Sequence, residues 1–163
     1  AVLCRPEFIT IHTAGGSAMM TAAAEAARDA AAKENVPAPQ LLGVTVLTHL
    51  DSGDLAAVGQ GSSPADQVKR LALLAQNAGL AGVVCSPQEI GLLRGVLNKS
   101  MLLVVPGIRP AGSAAGDQKR VMTPAQAAEL GADYLVIGRP ITQAANPAAT
   151  AKEILNSITA RAA

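Results

Sequence analysis

Apolar and polar positions fall in repeating blocks along this chain. Short runs rich in β-branched and aliphatic residues read as five strands: Phe8 to Thr13 (FITIHT), Leu41 to Thr48 (LLGVTVLT), Gly82 to Cys85, Met101 to Val105 (MLLVV) and Asp133 to Ile137 (DYLVI). Helical spacing fills the intervals. Ser17 to Lys33 is Ala-rich and follows a Gly15-Gly16 turn; beyond a polar loop, Val68, Leu71, Ala72, Ala75 and Ala78 share one helical face closed by Gly79. Three helix starts are marked by a hydroxyl N-cap followed by Pro: Ser63-Pro64, with Asp66 near the positive end, Ser86-Pro87 with Glu89, and Thr123-Pro124 with Gln126 at the capping-box position. Asn146-Pro147 opens a last helix with the apolar stripe Ala151, Ile154, Leu155 and Ile158.

Strands alternating with helices predict a parallel sheet with right-handed crossovers. The sequence grammar of helix-ending Gly, short strand and Pro recurs from Gly79 to Pro87 and from Gly131 to Pro140, one repeat of two βα units. A doubly wound sheet also accommodates such units, but no G-x-G-x-x-G follows any strand and no Walker lysine motif is present. The favoured architecture is α/β, a (β/α)8 TIM barrel. A complete barrel takes about 250 residues, so residues 1–163 are expected to form a single domain supplying roughly the last five βα units. The chain opens at Ala1 and runs almost at once into a strand, which suggests that earlier strands precede it.

Composition narrows the picture. Half the residues are hydrophobic but only Phe8 and Tyr134 are aromatic, so the core must be built from Ala, Val, Leu and Ile. Thirteen Lys and Arg against twelve Asp and Glu leave a formal charge of +1, with no basic block to track a nucleic acid. Cys4 and Cys85 are far apart without metal-ligand spacing, which suits a reducing, cytoplasmic setting and gives no metal site. Apolar runs such as Met101 to Val105 are too short to span a membrane, so no membrane partner is expected.

In a barrel the chemistry sits at the C-terminal strand ends. Those ends are polar here: Thr48-His49, Pro106-Gly107-Ile108-Arg109-Pro110 and Gly138-Arg139-Pro140. The last two follow the strands whose loops most often hold phosphate in such barrels; Gly lets a backbone N–H approach an oxyanion and Arg offers a forked pair of charged donors. Taken alone, Gly-Arg-Pro after a strand reads equally well as a turn with a solvated Arg.

Val44-Thr45-Val46-Leu47-Thr48, Pro106-Gly107-Ile108-Arg109-Pro110, Gly116-Asp117-Gln118 and Val136-Ile137-Gly138-Arg139-Pro140, in that order and spacing, carry more weight together. The combination resembles orotidine 5'-phosphate decarboxylase of the bacterial type, over essentially the whole chain, and Thr13-Ala14-Gly15-Gly16 with Met19-Met20 resembles that family's segment after its catalytic strand. The resemblance implies a homodimeric enzyme that removes the carboxylate of orotidine monophosphate to make uridine monophosphate, without metal or organic cofactor. It also implies that Thr48 hydrogen-bonds the pyrimidine, that Gln118 closes over the phosphate from a mobile loop, that Arg109 serves the substrate site, and that Gly138 and Arg139 form the main phosphate cradle. The long loop Gly107 to Arg120 would be the lid.

The departure from the family is as informative. Its chemistry depends on Asp-x-Lys-x-x-Asp at the third strand and an earlier Lys. The only Asp-x-Lys here is Asp117-Gln118-Lys119, in a loop and with Met122 where the final Asp belongs. No catalytic residue is therefore expected within residues 1–163, and the motif would lie before Ala1. Two alternatives remain: a related barrel that decarboxylates a sugar-acid phosphate with Mg²⁺, and a phosphate-ligand-binding barrel fragment without catalysis. His12 and His49 are read as packing or loop-shaping residues, Cys85 as an inert buried thiol, Met19 and Met20 as core or dimer contacts, and Lys119 and Arg120 as solvated lid charges.

Overall fold

The helix starts at Ser63, Thr123 and Asn146 are capped as the sequence indicates, whereas at Ser86 only the backbone N–H is bonded, to Glu89 Oε2 at 2.8 Å, and the hydroxyl is buried without a partner among the described residues. Ser63 Oγ accepts from the Asp66 N–H at 3.2 Å, and Asn146 Oδ1 accepts from the Ala149 N–H at 3.1 Å. The Thr123 and Gln126 pair is reciprocal: Gln126 N–H donates to Thr123 Oγ1 at 3.4 Å and Thr123 N–H donates to Gln126 Oε1 at 3.2 Å. The chain beyond two helices reverses through Gly79 and Gly131, whose φ values of +77° and +100° belong to the region other residues avoid.

A computed structural model describes residues 1–61, 63–110 and 121–159. Strands β1 (Phe8–His12), β2 (Gln40–Val44), β3 (Gly82–Val84), β4 (Leu102–Val105) and β5 (Tyr134–Leu135) form one sheet in chain order, all parallel. Helices α1 (Gly16–Lys33), α2 (Ser52–Ala57), α3 (Pro64–Asn77), α4 (Ile90–Arg94), α5 (Pro124–Glu129), α6 (Arg139–Thr142) and α7 (Pro147–Thr159) fall between and after the strands. This is the βα repeat read from the sequence, and it forms an arc of a (β/α)8 barrel.

Register assigns the two faces of the sheet. Ile9 pairs with Leu41, Gly43 with Val83, Val83 with Leu103, and Val105 with Leu135; these residues face the helices. A Cβ on Gly43 would meet Ala75 of α3 and Leu80 at 3.1 Å each. Packing there is tight, and Val83, Leu103 and Val105 are wholly buried. The opposite face carries Phe8, Thr10 and His12 of β1, Val44, Val84 and Tyr134, exposed or half-exposed, together with the buried Leu42 and Val104. In a flat sheet the first and fifth strands would stand about 19 Å apart at the usual strand spacing of 4.7–4.9 Å. Yet the rings of Phe8 and Tyr134, the chain's only aromatics, meet edge to face with centroids 5.0 Å apart. The sheet is therefore curled, with Phe8 and Tyr134 spanning its concave side.

Several elements differ from the sequence reading. The second strand stops at Val44 rather than Thr48, because the Thr45 N–H and hydroxyl both turn onto the carbonyl of Val84 and the next residues form a turn. The polar loop after it contains α2, opened by Asp51 and Asp54 in a reciprocal capping box. Helix α6 was also not foreseen. In α7, Ile154 is buried but Leu155 is 59% exposed, so the terminal stripe is narrower than its spacing suggested. At β1 and β5 the sheet has edges, and beside β1 lies an apolar groove of about 450 Å³ lined in part by Ile9, Ile11, Ala23, Ala27 and Leu41.

At the N-terminal end of the sheet one side chain ties three segments together. Arg94, the last residue of α4, donates from Nη1 to the Met101 carbonyl at 2.8 Å and from Nε and Nη2 to the Gly131 carbonyl at 2.9 and 2.7 Å. It also pairs with the carboxylate of Asp133, which accepts the Leu103 N–H at 2.6 Å. Because the ion pair is partly solvated, the carbonyl bonds carry most of the effect. Arg94→Ala is expected to cost about 1.5–3 kcal/mol, seen as a lower urea midpoint at unchanged m value. Lys69→Ala, on the exposed side of α3, is the control and should change stability by less than about 0.5 kcal/mol. Equal midpoints for the two variants would show that this clamp does not hold β4 against β5.

Candidate functional site

Parallel pairing in constant register brings every strand's C-terminus to one end of the sheet. His12, Val44, Val84 and Val104 form one row across β1 to β4. Among the described residues, Thr48, Arg109, Gly138 and Arg139 come after strand ends on this side of the sheet.

Thr48 lies four residues past β2, buried in a turn closed by a Leu50 N–H bond to the Leu47 carbonyl at 3.0 Å. It is thus a turn residue, not the terminal residue of a strand. His49 beside it is exposed.

After β4, Gly107 turns the chain with a φ of +79°, and Ile108 forms a parallel bridge with Met122. The Arg109 N–H donates to the Met122 carbonyl at 2.9 Å, and its guanidinium donates back to the Ile108 carbonyl at 2.8 Å. This rung fixes where Arg109 leaves the sheet, and its side chain is half-buried.

Gly138 follows β5. Its carbonyl accepts the N–H groups of Ile141 and Thr142 at 2.9 and 3.1 Å, while among the described residues none accepts from its own N–H. A Cβ placed there would meet nothing within 4 Å. Arg139, exposed, begins α6. Arg109 and the Gly138-Arg139 pair therefore follow neighbouring strands, whereas β3 stands between β2, which Thr48 follows, and β4. Gln118 lies outside the described residues, together with Gly116, Asp117, Lys119 and Arg120 of the expected lid.

His12 does not behave as the packing residue expected: it is exposed on the concave face at the end of β1. Cys85 is buried directly after β3 and Met20 is buried in the core, whereas Met19 is 38% exposed. Sequence reasoning quoted Thr13 and Thr45 within its motifs but gave neither a role. Both are buried, and each hydroxyl donates to the last carbonyl of the next strand, Thr13 to Val44 at 2.8 Å and Thr45 to Val84 at 2.7 Å. A hydroxyl directly after an apolar strand was the available signal.

The model of the orotidine 5'-phosphate decarboxylase / HUMPS family matches residues 6–154. The chain belongs to this family. It is 55% identical over 150 residues to the orotidine 5'-phosphate decarboxylase of Vibrio cholerae, covering 92% of this chain and 63% of that protein. The enzyme of the same name from Paramagnetospirillum magneticum is 55% identical over 145 residues, covering 89% of this chain and 62% of the relative. Among solved structures, orotidine 5'-phosphate decarboxylase from Lactobacillus acidophilus superposes with a TM-score of 0.75 at 35% identity, over 93% of this chain and 62% of that one. The chain spans less than two-thirds of the length of the relatives it matches.

The two kinds of glycine in this family member should respond oppositely to substitution. A Cβ on Gly82, within β3, would lie 2.4 Å from the Leu102 backbone oxygen, so Gly82→Ala must displace a strand and should cost more than about 2 kcal/mol. Gly138→Ala, with open space around it, should leave the unfolding free energy within about 0.5 kcal/mol of the parent. Comparable losses in denaturant titrations of the two variants would contradict this geometry.

Proposed function

We propose that this chain is the nucleotide- and phosphate-gripping part of an orotidine 5'-phosphate decarboxylase, an enzyme converting orotidine monophosphate to uridine monophosphate and CO2 in pyrimidine biosynthesis. The observation that carries the reading is that Thr48, Arg109, Gly138 and Arg139 all follow strands at one end of the sheet, in a chain 55% identical to relatives named for that activity. The protein works in the cytoplasm as a homodimer, without cofactor, and residues 1–163 act as one domain.

The roles follow from chemistry. A phosphate dianion calls for donors rather than acceptors, and the Gly138 N–H with the Arg139 and Arg109 guanidinium groups supplies them from adjacent strand ends. Gln118 adds a neutral donor from the connecting loop. Thr48, buried and hydroxyl-bearing, meets the pyrimidine, which needs directional hydrogen bonds more than charge. Grip on a phosphate remote from the reacting carbon provides binding energy that closes the site around the base. It does not supply the proton for C6 or a carboxylate to stress the leaving group, and the chain has no Asp-x-Lys-x-x-Asp for these tasks.

Arg139→Ala should weaken binding of uridine monophosphate far more than binding of uridine, by about 1.5–3 kcal/mol for each charge-assisted hydrogen bond lost. Thr48→Ala should instead reduce preference for the pyrimidine while leaving inorganic phosphate affinity nearly unchanged. Isothermal titration of these ligands separates the roles. Equal losses of nucleotide and nucleoside in Arg139→Ala would remove Arg139 from the phosphate site.

A further inference from the structure

The peptide that joins β2 to the Thr48 turn is held on both sides by partly buried hydrogen bonds. Its carbonyl, on Val44, accepts the Thr13 hydroxyl at 2.8 Å. Its N–H, on Thr45, donates to the Val84 carbonyl at 3.2 Å, and the Thr45 hydroxyl donates to that same oxygen at 2.7 Å. One strand end is thereby stitched to β1 on one flank and to β3 on the other.

Packing alone does not require these hydroxyls. In the same row across the sheet the residue following Val104 is Val105, wholly buried, so an apolar β-branched side chain fills this position well. Threonine is nearly the same shape, and its hydroxyl costs free energy when buried unless it is bonded. The sequence around it accommodates that arrangement. A Cβ on Gly43 would come within 2.6 Å of the Thr13 methyl carbon, so the glycine is what allows Thr13 to sit with its hydroxyl on Val44. The two threonines flank the strand end that leads, three residues beyond Thr45, to buried Thr48.

We propose that Thr45, seated with the help of Thr13, is a positioning residue that fixes the Thr48 turn and thereby sets the chain's preference for a pyrimidine base. The inference deepens the reading given above and rests on it. Without the Thr45 hydroxyl the peptide keeps the Thr13 bond to its carbonyl but is tied to β3 only by the longer N–H bond to Val84, and the turn gains freedom to move Thr48 off the base. A shift of about 1 Å suffices to degrade a directional hydrogen bond. Phosphate contacts, which follow β4 and β5, are untouched.

The test compares uridine monophosphate with ribose 5-phosphate as ligands of the 163-residue chain and of three variants, Thr48→Ala, Thr45→Val and Thr45→Ser. Thr45→Val preserves shape and should lower the affinity ratio of the two ligands by about fivefold or more, leaving ribose 5-phosphate affinity within about twofold. Thr45→Ser retains the hydroxyl and should keep the parent's ratio. If Thr48→Ala lowers the ratio and Thr45→Val does not, the positioning role is wrong while the pyrimidine reading stands. Equal weakening of both ligands in Thr45→Val, loss of the ratio in Thr45→Ser, or failure of Thr45→Val to fold would assign the hydroxyl to stability and overturn the proposal. No preference for uridine monophosphate in the parent, or an unchanged ratio in Thr48→Ala, would overturn the reading of Thr48 and this inference with it.

Discussion

Parallel pairing in constant register is the constraint on which everything else here depends. Because β1 to β5 run the same way, each must be followed by a return segment, and every strand ends on the same side of the sheet. The N-terminal side is given to stability: Arg94 gathers the carbonyls of Met101 and Gly131 and the carboxylate of Asp133. The C-terminal side receives the polar strand extensions, among them Thr48, Arg109, Gly138 and Arg139. A (β/α)8 barrel divides its labour in this way, and five βα units are enough to establish the division.

The two faces of the sheet are unequal, and the inequality reflects how much of a barrel is present. Toward the helices, aliphatic residues and alanine pack with the outward strand residues, and Val83, Leu103 and Val105 are wholly buried. Toward the axis, Leu42 and Val104 are buried, but Val44 and Val84 are only half-buried and Tyr134 is 41% exposed, although Phe8 reaches across to it. The relatives run longer: the 150 residues matched in the Vibrio cholerae enzyme are 63% of its length, leaving roughly 90 residues of that protein unmatched, about three βα units by barrel proportions. A concave apolar face, two sheet edges and the groove beside β1 are consistent features of such an arc. Edges of this kind attract strands from other chains unless they are paired.

Much of the fold was legible because it is written in local chemistry. The cap-Pro starts at Ser63, Ser86 and Thr123, the glycines at 79 and 131, and the face Val68, Leu71, Ala72, Ala75 and Ala78 all specify one helical end or one buried side, and each does so in the structure. What escaped was decided by partners distant in sequence. Thr45 leaves the strand pattern because its N–H and hydroxyl find Val84, thirty-nine residues on. Asp133 serves as an acceptor for Arg94 across the same separation. Leu155 is exposed because a narrow contact suffices to seat α7, which no helical period announces. At the site, motif resemblance found residues defined by what they would touch in a ligand. It included Thr13 and Thr45 but gave them no role, because their partners are main-chain carbonyls on adjacent strands.

The proposed function separates binding from chemistry: it assigns the nucleotide-gripping donors to this chain, whose residues 1–163 contain no Asp-x-Lys-x-x-Asp. The most direct measurement is the loss of orotidine monophosphate absorbance with the purified 163-residue chain, alone and after co-expression with an N-terminal segment carrying Asp-x-Lys-x-x-Asp. The predicted result is no turnover by the chain alone, with activity appearing when the added segment is present. Decarboxylation by the chain alone at a rate near that of the complemented sample would contradict the separation.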